Sequence, residues 1–458
     1  MDDVVRKVLD NIDQEKTVRT LQELVRVPAW VDFTKHTTEW EMKRAEYLSA
    51  KMKEIGIEPI VAGQVHYGRP TLIGFLKGQN EGNPKLCFDG HIDTHTPIDP
   101  ELMPRPFDGQ IEDNEVKGLG TADQLPTLAA VLNAIDAIQR SNIKLKYDFM
   151  VIFPPDEMIG ARGVELAVRW MREKNVIPEF GIAGECTDNN IGVSHTGIIE
   201  FEIEVIGKSG HPSQLLKETR RKVANPVARM FDVGKALMEL HEKEPRFGKE
   251  HPFVGTSYTW IGSIEGGSRY PGFAWSGAVF DPLEPGMRSY EAFDRNISVA
   301  HVLPEYCKLR FGVRCIPETL RPGKEWTVEP EEGFSVAEVQ EMVDKYLSDF
   351  WNTNPNDCTY KLRLTEDRAI PWEISKDEAH VRQLAKVIEE VRGKPPTYLG
   401  TKHWNETSRI TEQLGTPFVQ VAPTWVRYHQ PDEGCPIPDL METTRIYAAA
   451  ILDFCGVV

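Results

Sequence analysis

Apolar residues along this chain recur in two rhythms. Across residues 13–48 they fall at helical spacing, at Leu21, Leu24 and Val25 and again at Trp40, Ala45 and Leu48, with a break at Val27 and Pro28. Short, mainly apolar runs follow at 72–76, 86–88, 149–153, 180–183 and 417–422, the length of strands buried on both faces. Helical patterns over 127–139, 163–174 and 378–391 alternate with these runs. That alternation predicts an α/β fold, a mostly parallel sheet with helices on both faces.

Between the later runs the pattern changes. Residues 198–206 alternate apolar side chains with Glu200, Glu202 and Glu204, as in a sheet with one wet face. A helix at 226–240, strands at 255–264, 306–315 and 359–364, and a helix at 335–350 complete a small α+β set, interrupted by a loop rich in Gly, Pro and aromatic residues up to about 299. A chain of 458 residues is too long for one core. We therefore expect a parent domain over 1–193 and 373–458, with an inserted domain over 194–372.

The parent domain's apolar runs end in chemistry. Residues 86–88 lead through Gly90 to His91 and Asp93, 149–153 to Asp156 and Glu157, 180–183 to Glu185, and 417–422 by a short loop to His429. In open α/β sheets ligands bind beyond the carboxyl ends of the strands, so these side chains are expected on one rim. Taken alone, His91-x-Asp93 reads more readily as a turn histidine paired with its neighbour; the other runs change that balance. Gly118-Leu119-Gly120-Thr121-Ala122-Asp123 lacks the Gly-Lys-Ser/Thr of a phosphate loop and the spacing of a dinucleotide site. Imidazoles at 91 and 429 with carboxylates at 123, 157 and 185 suit zinc, manganese or cobalt.

Composition narrows the class. A net charge of −17 disfavours nucleic acid, no apolar run approaches membrane-spanning length, and seven scattered cysteines contain no Cys-x-x-Cys. The start, Met-Asp-Asp-Val-Val-Arg, has no export signature, which makes the cytoplasm the expected compartment.

Together these motifs give the chain a resemblance to the M20 metallopeptidases, the aminoacylase and carboxypeptidase-like amidohydrolases. It rests on Gly90-His91-x-Asp93, on Pro106-Phe107 before Gly118-x-Gly120-x-x-Asp123, and on Asp156-Glu157 before Gly160. Glu185, Gly207-x-x-x-His211 and His429-x-Pro431-Asp432-Glu433 complete it. The resemblance implies a two-metal site, His91 and Glu185 on one ion, His429 and a glutamate on the other, with Asp123 bridging. Asp93 would orient His91, and Glu157 would be the general base acting on a metal-activated water. The inserted domain would be a lid and dimerisation domain, with His211 reaching an active site. A homodimer or higher homo-oligomer is implied.

The chain departs from that pattern where the family has Asp-Glu-Glu-x-Gly. Met158 stands at the second ion's glutamate, and a thioether is a poor ligand for such a cation. The expectation is therefore one divalent ion per chain, held by His91, Asp123 and Glu185, with His429 left at a doubtful second site. A rival frame makes Asp156 the base and Glu157 a ligand; the first frame keeps the distance to Gly160. Gln124, Leu125 and Pro126 replace the usual Met-Lys-Gly, and His301 stands for a lid asparagine. Arg288 in an aromatic loop, with His211, His301 and His403, would bind a small carboxylate-bearing substrate. Trp425 and Tyr428 near His429 suit a flat one, as in the 5-nitroanthranilate aminohydrolases, a divergent group that resembles this family.

The expected activity is hydrolysis of a C–N bond, in an amide, a short peptide or an aryl amine. The alternatives are a two-metal aminoacylase or dipeptidase, and a non-catalytic binding protein on the same scaffold.

Overall fold

The computed structural model describes residues 2–30, 39–65, 68–95, 101–158, 160–215, 223–243, 250–267, 302–317, 336–354, 356–366, 371–424 and 426–458. They divide between two compact units, the first within Met1–Thr196 and Ile370–Val458, the second within Gly197–Gly323 and Phe334–Ala369.

The first unit is organised on a nine-stranded sheet. Its order runs Ile60–Val65, Arg69–Leu76, Phe149–Phe153, Leu86–Asp89, Gly181–Ala183, Phe418–Gln420, Ile191–His195 and Trp372–Glu373, with Tyr398–Thr401 also pairing Ile191–His195. From Phe149–Phe153 to Phe418–Gln420 the neighbours are parallel. The two strands before them are antiparallel. Successive side chains of a strand face opposite sides, and Arg69–Leu76 shows helices on both: the Phe75 ring lies 6.2 Å from that of Trp170, whereas a Cβ at Gly74 would run into Met52. Phe88, Phe149 and Phe153 are among the largest fully buried side chains, as expected of strands covered on both sides.

Two helices explain where the apolar rhythm misleads. Leu125–Arg140 is buried at every position from Leu125 to Ile138, because it is enclosed by Gln14–Arg26 and Ile437–Cys455. It begins ahead of the expected residue 127, with Pro126 in the first turn, where a missing N–H costs nothing. Ile437–Cys455 has no counterpart among the expected elements. A helix buried around most of its circumference shows little 3.6-residue contrast.

In the second unit an antiparallel sheet runs in the order Tyr258–Gly267, Tyr306–Cys315, Gly197–Ile206, Thr359–Glu366. The alternation does its expected work: Ile199, Phe201, Ile203 and Val205 enter the core with residues of Pro226–Met238 and Val336–Thr353. On the other face Glu202 meets Arg310 at 3.2 Å and Arg363 at 3.0 Å. The edge strand Tyr258–Gly267 leaves Ile261 39% and Ile264 50% exposed. No helix among the described residues is long and apolar enough to cross a membrane.

Candidate metal centre

His91 is separated from its strand, Leu86–Asp89, by Gly90 alone, and its side chain is fully buried. Its Nδ1 lies 2.9 Å from the Asp93 backbone carbonyl, so Nδ1–H donates there and the ring presents Nε2 to Asp123 and Glu185. Nε2 is 3.1 Å from Asp123 Oδ1 and 3.9 Å from Glu185 Oε1. Ligand atoms of His91, Asp123 and Glu185 all lie within 4.8 Å of one another, and all three residues are buried. A buried cluster of one imidazole and two carboxylates fits a divalent cation.

Asp123 reaches in two directions. Its Oδ2 is 3.0 Å from His429 Nε2, so the carboxylate spans both histidines. They hold it well below its ordinary pKa, outweighing the upward push of burial. His429 is the outermost of the group, its ring stacked on Tyr428 at 3.9 Å and 4.4 Å from the ring of His95. His95 in turn faces the buried Glu433, which accepts the Gly120 N–H.

The Asp93 carboxylate has a different partner from the one expected. The contact to His91 is made by the backbone carbonyl, with Oδ1 at 3.6 Å from Nδ1. The carboxylate oxygens instead accept the Glu157 N–H at 3.1 Å and the Met158 N–H at 3.0 Å. Behind this turn, Arg44 is fully buried and donates to the carbonyls of Leu24, Val27 and Ile92.

Asp156 and its neighbour Glu157 separate sharply. Asp156 is bound by Arg69 at 2.7 Å and by Arg162 at 2.6 Å, and its N–H is held by Glu41. Glu157 is buried, and burial, with Glu406 and Glu185 nearby, pushes its carboxyl well above the usual range against the pull of His91. Burial raises Asp89 to about 7 and pushes the carboxyl of Glu406 well above the usual range.

His403, expected to meet substrate, lies with Nε2 3.0 Å from Glu185 Oε2. His211 is exposed in the second unit, its Nδ1 2.8 Å from Ser213 Oγ. Arg288, His301, the aromatic loop around them and Trp425 fall outside the described residues. Sequence reasoning gave Gln124 no role beyond a departure from the family pattern, and missed Glu406, Glu41 and Arg69. Glu406 opens the helix Thr407–Leu414, where an acid reads as an ordinary helix start.

Comparison with known proteins agrees with this architecture. Succinyl-diaminopimelate desuccinylase of Coxiella burnetii is 23% identical over 415 residues, covering 87% of this chain and 90% of that protein. Acetylornithine deacetylase of Photorhabdus laumondii is 29% identical over 427 residues, 89% of each. The fold matches human carnosine dipeptidase 1 with a TM-score of 0.72 at 16% identity, covering 99% of both chains. The model of peptidase family M20/M25/M40 matches residues 87–453; the chain belongs to that family, as a metallohydrolase of C–N bonds.

Proposed function

We propose that this protein hydrolyses a C–N bond, in an amide, a short peptide or an aryl amine, of a small carboxylate-bearing substrate, using one divalent ion held by His91, Asp123 and Glu185. The observation that carries the reading is the convergence of those three buried ligands, with the His91 tautomer fixed from behind. An ion bound there supplies a water of lowered pKa and polarises the carbon under attack.

The chain's own residues do the rest. Glu157 takes the proton of the attacking water and returns it to the leaving nitrogen. Its raised pKa suits a group that must both accept and give. Asp93 holds the backbone of Glu157 and Met158, fixing where that carboxylate stands. His429, on the far oxygen of Asp123, orients the substrate, and its stacking on Tyr428 limits its rotation.

A second reading, a two-metal aminoacylase or dipeptidase, is favoured by Asp123 spanning His91 and His429. Against it stands Met158. The relatives are a succinyl-diaminopimelate desuccinylase and an acetylornithine deacetylase, and we take N-acyl amines as the first class to test on this chain. We further propose a cytoplasmic homodimer joined along the exposed edge strand Tyr258–Gly267; all seven cysteines are free and buried.

The test is turnover of N-acyl amino acids, dipeptides and aminobenzoates by protein loaded with zinc, manganese or cobalt. Turnover of one class that disappears in Glu157→Ala supports the reading. Loaded protein inactive on all three classes would favour a binding protein.

A further inference from the structure

Gln124 follows Asp123 directly and is 2% exposed. Its Nε2 donates to Glu185 Oε1 at 2.6 Å, and its Oε1 accepts from Thr127 Oγ1 at 3.4 Å. Two glycines leave room for that amide. A Cβ at Gly184 would come within 2.5 Å of Gln124 Oε1, and one at Gly90 within 2.9 Å, closer than side chains pack. These glycines immediately precede Glu185 and His91. The backbone that delivers two of the ligands is thus also the backbone that makes room for Gln124.

Both carboxylate oxygens of Glu185 have a close neighbour. Oε2 faces His403 Nε2 at 3.0 Å, and Oε1, the oxygen nearer His91, carries the Gln124 bond. One lone pair of Oε1 is left for a cation, and the carboxylate cannot rotate without losing a hydrogen bond. We propose that Gln124 is a positioning residue for metal binding: with His403 it fixes Glu185 in its ligating orientation before the ion arrives. This rests on the reading of His91, Asp123 and Glu185 as the metal site. Hydrogen-bond partners of metal ligands typically contribute about 10- to 100-fold in affinity.

The experiment compares dissociation constants for Mn²⁺ and Zn²⁺ in the metal-stripped full chain, as wild type, Gln124→Met, Gln124→Asn and His91→Ala. Methionine keeps the length of the side chain without the donor; asparagine keeps the amide but withdraws it by one methylene. Both variants should bind each ion about 10- to 100-fold more weakly, with metal-free melting temperatures close to wild type. Melting identifies a variant that has lost its fold, and the folded one then decides. A folded Gln124→Met or Gln124→Asn protein that binds as tightly as wild type, beside a His91→Ala protein that does not, overturns the role of Gln124 alone. A His91→Ala protein that also binds as wild type removes the metal site itself, and the proposal with it.

Discussion

Arg162 holds Asp156 by both carboxylate oxygens, Nε donating to Oδ2 at 2.6 Å and Nη2 to Oδ1 at 2.7 Å. An aspartate so engaged is a poor proton acceptor, which supports Glu157 as the base. Glu157→Gln should lower kcat by roughly 10²- to 10⁴-fold while the ion stays bound. Asp156→Asn should cost stability and much less of kcat. The reverse ranking, with metal retained in both, would favour the frame in which Asp156 is the base.

Arg69 stands between two buried acids, 2.9 Å from Glu41 and 2.7 Å from Asp156. Arg69→Met leaves both carboxylates without their shared cation. Breaking a buried pair from one side costs about 3–5 kcal/mol, so chemical denaturation should show a loss of that order. A variant as stable as wild type would show that the pair is not what holds this loop.

The same network sets a pH dependence. Burial, with Asp93 nearby, raises Glu41 from an ordinary 4.5 to about 8. Between those values the unfolded chain has released a proton that the folded chain keeps. Stability from this group is therefore lost as pH rises through that window. Glu41→Gln should flatten the fall in unfolding free energy over that range; an unchanged slope would place the titration elsewhere.

Ile264 is 50% exposed on the edge strand Tyr258–Gly267. An open apolar edge invites pairing with another strand, and a lysine there opposes it. Ile264→Lys should shift sedimentation from dimer to monomer, whereas an unaltered dimer would place the interface on another surface.

Much of the candidate centre was legible because its residues sit where short apolar runs stop. Phe149–Phe153 and Tyr306–Cys315 fall at the expected bounds, and His91 and Glu185 close to the ends of theirs. What supports those residues was not legible. Glu41 reaches Asp156 across 115 positions and Gln124 reaches Glu185 across 61, and neither pairing leaves a local pattern. Asp93 was legible as a partner of His91 but not in its use of backbone and carboxylate for different tasks. The helix Ile437–Cys455 was missed for the opposite reason: too many of its positions are apolar for a face to stand out.

On the proposed reading one functional ion is held by His91, Asp123 and Glu185, and Met158 has removed the second. Metal analysis of protein stripped with chelator, reloaded and passed through a desalting column tests it most directly. One ion per chain, lost in His91→Ala and retained in His429→Ala, is the expected result. Two tightly held ions per chain, with one lost in His429→Ala, would contradict it.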